Sequence, residues 1–359
     1  MEYTNEILTK INAKKQVNSM FSKWYWKMGI ETKDEQITSD RLYKKSERIN
    51  DCLNLWAWNK YEENKLLDLV KVNRCLNNRF CPNCRKLDLA KCIHSFQSPF
   101  KNLINQGENP YLLTLTLPNC TYDKLDETID NLNKSFYKLF TGLNKDTRVG
   151  INFRNIHLTG ALKVLEITYN SKAKTFHPHL HCIIFSDSSY CSMDFKKCVQ
   201  GHYSFKRQSY NYHSKMDIHF MKLWTMIINK IRMTDKNFES MTDNPLNLLQ
   251  VDIKEMDEFG IYEVLKYTFK DTDIVNYHVF ETLVNTLNNR RIRQGYGNLY
   301  NLKTENVDDG ELQALDEFLE NEENPTSLIT REITELITTY KHYKKISRFT
   351  PLEYSNIIE

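Results

Sequence analysis

The stretch His177-Pro178-His179-Leu180-His181-Cys182-Ile183-Ile184-Phe185 decides how this chain reads. Its alternation has period two, so the segment is expected as a strand with His177, His179 and His181 on one face and Leu180, Cys182 and Ile184 on the other. Side chains two residues apart on a strand stand about 7 Å apart, so two imidazoles can turn toward one divalent cation, a role neutral histidine often fills. The plain alternative is a His-rich surface strand. Three imidazoles in register on one face argue against it.

A partner for these ligands lies upstream. The run Ala161 to Asn170 alternates Leu162, Val164, Glu166 and Thr168 against Lys163, Leu165, Ile167 and Tyr169, and the polar linker Ser171-Lys172-Ala173-Lys174-Thr175 joins the two runs as a hairpin. Glu166 is the only acid in that strand. In an antiparallel pair it can share a face with His179 and His181, giving a two-histidine, one-carboxylate set with positions left for water and substrate. Mixed nitrogen and oxygen ligands suit Mn²⁺ or Mg²⁺ better than a closed zinc cage.

Tyr111-Leu112-Leu113-Thr114-Leu115-Thr116-Leu117 reads as a further strand, closed by Pro118. Together these segments resemble the three-motif pattern of the HUH endonucleases, and most closely the replication initiators of small rolling-circle bacterial plasmids. Leu113 to Leu117 resembles their first motif; Glu166 with His177 to His181 resembles their second. The resemblance runs from about Cys52 to about Tyr300. It implies a metal-dependent, site-specific nicking and joining of single-stranded origin DNA through a tyrosine on a downstream helix.

Glu255 to Asp271 is the expected helix. At about 100° per residue, Ile261, Val264, Leu265, Thr268 and Phe269 occupy one apolar arc, while Glu263, Tyr267 and Lys270 fall together on the other side. Tyr262 sits near the apolar margin, so Tyr267 is the expected nucleophile. Glu263-Val264-Leu265-Lys266-Tyr267 followed by Lys270 and Asp271 also resembles the third motif of one plasmid-initiator subgroup. A phenol with a pKa near 10 attacks a phosphate only if the phosphate is held and its charge neutralised, which the cation and Lys270 would do. Glu263, one turn before Tyr267, is implied as a general base during termination. An ordinary helix ion pair with Lys266 or Lys270 is its bland alternative.

Cys75, Cys81 and Cys84 form C-x5-C-x2-C, and the Cys81-Pro82-Asn83-Cys84 knuckle presents two thiolates in a way suited to zinc. Cys52 is the expected fourth ligand, with Cys92 and His94 as competitors. A looser set, Cys191, Cys198 and His202, is a weak candidate. Basic and aromatic residues interleave at Lys23-Trp24-Tyr25-Trp26-Lys27 and at Asn289-Arg290-Arg291-Ile292-Arg293 before Gly295-Tyr296-Gly297. The second segment is the better DNA-binding candidate, with Arg290, Arg291, Arg293 and Lys266 as phosphate contacts.

No run of about 18 apolar residues suggests a membrane span, and Met1 to Lys15 does not resemble a secretory signal, so a soluble cytoplasmic protein is expected, and the resemblance implies a plasmid-bearing bacterium. The net charge of +3 conceals an asymmetry, because Glu305 to Asn324 carries nine acids and no Lys or Arg. The expected fold is α+β, a mainly antiparallel sheet with helices packed on it. Residues 1–110 would hold the cysteine-rich zinc part, 111–303 the nicking domain and 304–359 an acidic segment with a helix at Ser327 to Lys345. The helix Tyr122 to Phe140 would cover one sheet face through Leu125, Ile129, Leu132 and Phe136. Implied partners are single-stranded or hairpin origin DNA, a host helicase and a DNA polymerase primed by the freed 3′-hydroxyl. The rival readings are a single-strand transposase, a mobilisation relaxase, disfavoured by the downstream tyrosine, and a zinc-stabilised DNA-binding protein without catalysis.

Overall fold

The structure is a computed structural model of the 359-residue chain; it describes residues 5–52, 56–60, 67–143, 156–187, 195–204, 208–257, 260, 264–265, 273–301 and 347–349. It divides into two compact units, Met1–His94 with Thr304–Glu359, and Ser95–Lys303. The architecture is α+β, as the strand and helix periodicities lead one to expect.

In the first unit, α1 (Asn5–Glu31) and α2 (Gln36–Asn50) pack as a helical pair. Hydroxyls tie them: Ser39 Oγ donates to the Gly29 carbonyl and Ser46 Oγ to the Ser22 carbonyl, each at 2.8 Å. Gly29 lets the Tyr43 ring approach at this crossing, since a Cβ there would lie 2.6 Å from the ring and displace it. Phe80 meets Phe21 and Tyr25 edge-on, the arrangement that ring quadrupoles favour. A three-stranded antiparallel sheet runs in the order β10 (Ser347–Phe349), β1 (Trp56–Lys60), β2 (Leu67–Val72). Leu53 to Leu55, just before β1, lie outside the described residues.

α3 (Pro82–Asn105) opens with Pro82, a residue whose missing N–H costs nothing in a first turn. The second unit is built on a five-stranded, fully antiparallel sheet in the order β8 (Val251–Glu255), β3 (Asn109–Thr116), β5 (Thr175–Ser186), β4 (Leu158–Asn170), β9 (Arg293–Gly297). The β4–β5 hairpin turns through 171–174, where Asn170 Oδ1 accepts the N–H groups of Lys172 and Ala173 and Lys174 takes φ 52°. Pro178 sits inside β5 without breaking the ladder. Phe176 exchanges both backbone bonds with Cys120, so the backbone at 178, two residues on, faces the same side. There β3 has already ended at Thr116, and the absent N–H leaves no partner orphaned.

One sheet face is buried beneath α4 (Leu125–Leu143), which follows a short 3-10 turn at Tyr122–Lys124 and presents Leu125, Ile129, Leu132 and Phe136 inward. Lys163 lies on this face, and its Nζ donates 2.6 Å to Asn133 Oδ1 above the Phe136 and Tyr296 rings. Burial lowers its pKa to about 8. α5 (Lys215–Ile228) is tied to the sheet margin by Asp217, which is fully buried. Asp217 Oδ2 accepts from Ser214 N, Ser214 Oγ and Lys197 Nζ, while Oδ1 accepts from Ile253 N. Trp224 Nε1 adds a 2.8 Å bond to the Thr116 carbonyl. A separate hairpin, β6 (Val199–Ser204) with β7 (Ser209–His213), precedes α5; α6 (Asp235–Ser240) and α7 (Tyr277–Leu287) also belong to this unit. In β9, Gly297 has φ +54° and any Cβ there would lie 2.1 Å from the Thr159 carbonyl oxygen, so the edge strand can approach β4 only with glycine at this place. No helix among the described residues is long and apolar enough to cross a membrane.

Candidate metal centres

Cross-strand partners in an antiparallel sheet share a face, and the register puts three functional side chains into two adjacent rows. Thr116, His179 and Glu166 form one row; Asp252, Thr114, His181, Val164 and Arg293 form the next. Glu166 Oε2 lies 2.6 Å from His179 Nε2 and 2.7 Å from His181 Nε2. Glu166 is only 6% exposed and His179 8%. Burial pushes the Glu166 pKa up, but hydrogen bonds and charge from His179 and His181 outweigh it and bring it to about 2. The carboxylate is thus ionised at neutral pH, as a ligand must be.

The outer nitrogens are also held. His179 Nδ1 lies 3.1 Å from the His177 carbonyl, an acceptor that only the Nδ1–H tautomer satisfies, and His181 Nδ1 lies 3.3 Å from Thr114 Oγ1. Both rings are therefore anchored on the far side and turn Nε2 toward the carboxylate, the usual way a protein orients imidazole ligands. Two ligands at 90° on a cation about 2.1 Å away stand about 3.0 Å apart, so this trio needs to open by only a few tenths of an ångström. His177, the third imidazole, stacks on His179 at 5.1 Å between centroids and is not part of the converging trio. Burial and the neighbouring His179 keep its pKa below the ordinary value.

The four cysteines of the first unit converge as well. Cys52 Sγ is 3.6 Å from both Cys81 and Cys84, and Cys75 Sγ is 3.5 Å from Cys84. A tetrahedral ion with bonds of about 2.3 Å to sulfur sets its ligands about 3.8 Å apart, so the spacing fits zinc. All four are buried. Hydrogen bonds from Cys52 and Cys75 pull the Cys81 and Cys84 thiols down, while contacts with the other three push Cys75 up. Asn18 Nδ2 donates to Cys81 Sγ at 3.3 Å and the Asn77 N–H points to Cys75 Sγ at 3.4 Å, the outer bonds that favour thiolate. Cys52 takes the fourth corner, and Cys92 lies half-buried on α3 outside the cluster. In the weak set, Cys198 and His202 are exposed and Cys191 lies outside the described residues.

The expected nucleophile helix is described only in part. Glu255 ends strand β8 rather than opening a helix, because its backbone pairs with Tyr111 at the sheet edge. Val264 and Leu265 are helical and fully buried, in keeping with the apolar arc. Tyr267, Glu263, Lys270, Lys266 and Tyr262 lie outside the described residues. Of the three arginines, Arg290 is held by Asp130 and Asp126 of α4, the latter at 2.7 Å, so its guanidinium is engaged within the fold. Arg291 is exposed, and Arg293 stands in the His181 row. The Lys23 to Lys27 cluster divides on α1: Tyr25 is buried against Phe80, whereas Trp26 is 48% exposed beside Tyr43. Two features escaped the sequence reading. Thr114 lies in the Leu113 to Leu117 stretch that resembles the first motif, but its contact with His181 carried no separate signal, and the half-exposed tyrosines of the β6–β7 hairpin lie in a segment with no recognisable spacing.

A family model described as "Replication protein" matches residues 66–347. Among curated proteins, the chain is 28% identical over 267 residues to a "Protein rep" of Staphylococcus aureus, covering 74% of this chain and 94% of that one. It is 26% identical over 256 residues to a "Protein rep" of Bacillus amyloliquefaciens, covering 68% and 66%, and 27% identical over 281 residues to one of Streptococcus pneumoniae, covering 74% of each. No solved structure matches it. The family match takes in β3, β4, β5 and most of the cysteine cluster, and on that extent the chain belongs to the replication protein (Rep) family.

Proposed function

We propose that this protein initiates rolling-circle replication of a plasmid by nicking and rejoining one strand of its origin, with chemistry of the HUH type. The observation that carries the reading is the Glu166 carboxylate oxygen poised between two imidazole Nε2 atoms whose outer nitrogens are both anchored. Glu166, His179 and His181 would hold Mn²⁺ or Mg²⁺, which supplies Lewis acidity to a phosphate oxygen. Tyr267 Oη attacks the phosphorus, the bond from phosphorus to the 3′ oxygen breaks, and the phenol proton ends on that oxygen. The products are a 5′-phosphotyrosine and a free 3′-hydroxyl able to prime a polymerase. Lys270 neutralises developing charge, and Glu263 removes a proton from water or an incoming hydroxyl at termination.

Residues 111–303 would carry this chemistry. Residues 1–110 would be fixed by zinc on Cys52, Cys75, Cys81 and Cys84, and 304–359 carry no assigned role. Arg291, Arg293 and Lys266 contact phosphates, with Arg290 bracing β9 against α4. The test is nicking of labelled single-stranded origin DNA with and without Mn²⁺, in the wild type and in His181→Ala. The proposal expects metal-dependent cleavage lost in the variant; cleavage that ignores both metal and His181 would overturn it.

A further inference from the structure

The β6–β7 hairpin stands apart from the main sheet and carries three tyrosines on one face. Tyr203 is the cross-strand partner of Tyr210, and Tyr212 follows Tyr210 by two residues, so all three project the same way. They are 42%, 47% and 51% exposed, and the Tyr203 and Tyr210 rings meet edge to face at 5.1 Å. Rings that stay half in water add little to a core. Tyr210 and Tyr212 form one wall of a cleft of ≈ 360 Å³, whose other wall is Thr114, Thr116, Gln250 and Asp252. Thr114 Oγ1 is the atom 3.3 Å from His181 Nδ1, so the cleft borders the candidate metal face. The one acid in it, Asp252, has its Oδ1 paired with Lys197 at 2.8 Å.

We infer that this hairpin is a stacking platform for the unpaired bases of single-stranded DNA next to the scissile phosphate, an inference that rests on the nicking role proposed above. Aromatic rings bind single strands without sequence preference because every base has a π-face. Tyr210 and Tyr212 stand about 6.8 Å apart along the strand, twice the stacking distance of about 3.4 Å, which admits one planar base between them. The rest of the wall offers hydroxyls and an amide, groups that bond to sugar and phosphate.

The test is fluorescence anisotropy of the full chain with a labelled twenty-residue thymidine oligonucleotide and with an abasic strand of equal length, without added Mn²⁺. Wild type should prefer the base-bearing strand at least tenfold. Tyr210→Ala/Tyr212→Ala should lose that preference, and Tyr210→Phe/Tyr212→Phe should keep it within about threefold. Equal wild-type affinity for the two strands would overturn the inference and leave the tyrosines to another occupant, such as a protein; so would an alanine variant that still discriminates. Adduct formation by the wild type with Mn²⁺ is read separately, so failure of the nicking role and failure of the platform are distinguishable.

Discussion

Replacing Thr114 by valine tests whether His181 is oriented as a metal ligand. The two side chains are nearly isosteric, so the substitution removes one oxygen and leaves the strand intact. That oxygen is 3.3 Å from His181 Nδ1, at the long end of hydrogen-bond range, so its direct worth is about 1 kcal/mol. Loss of an outer partner of a ligating imidazole typically costs 10–100-fold in metal affinity, and the long contact places the expectation near tenfold. The assay is Mn²⁺ binding followed by electron paramagnetic resonance of the free ion. Thr116→Val is the internal control: Thr116 lies two residues away on the same strand and pairs with His179 across the sheet, but its Oγ1 donates 2.8 Å to the Gln250 carbonyl. A Thr114→Val protein that binds Mn²⁺ within twofold of wild type, or a Thr116→Val protein equally impaired, would refute the orientation argument.

Three further outcomes follow from the same contacts. Purified protein should contain one zinc per chain by elemental analysis, and Cys81→Ser should lose it together with roughly 10 °C of thermal stability. Asp217→Asn should cost about 1–3 kcal/mol in urea unfolding, since a fully buried carboxylate that accepts four bonds loses half its acceptor capacity, while Lys197 keeps Asp252 as a partner. Burial, helped by Lys222, depresses the His219 pKa from 6.5 to about 4. Because the unfolded chain then takes up the proton first, stability should fall as pH drops from 6.5 to 4, by roughly 3 kcal/mol at most, and stay level above 6.5. His219→Phe should lack that component in a pH series of denaturation curves.

The metal face was legible in the sequence because a strand has period two: His179, His181 and Glu166 could be set on one face before any register was known. The pairing of Glu166 with His179 then follows from the length of the 171–174 turn, which fixes the register of a hairpin. The cysteine cluster was legible in the Cys81 to Cys84 knuckle, whereas the choice of Cys52 over Cys92 depends on how α2 ends, which spacing does not encode. Arg290 shows the opposite case. In sequence it belongs to a basic run, yet two aspartates one turn apart on α4, 160 and 164 positions away, hold it in the fold. The contact of Thr114 with His181 and the placing of the hairpin tyrosines were illegible for a similar reason, since both depend on neighbours brought together by the fold.

The most direct test of the central claim is the position of the covalent link. Protein incubated with labelled single-stranded origin DNA and Mn²⁺ would be digested and the modified peptide mapped by mass spectrometry. The account predicts an oligonucleotide on Tyr267, absent in Tyr267→Phe and accumulating in Glu263→Ala. A link on Tyr262, an adduct that survives Tyr267→Phe, or no adduct on any origin strand would contradict it.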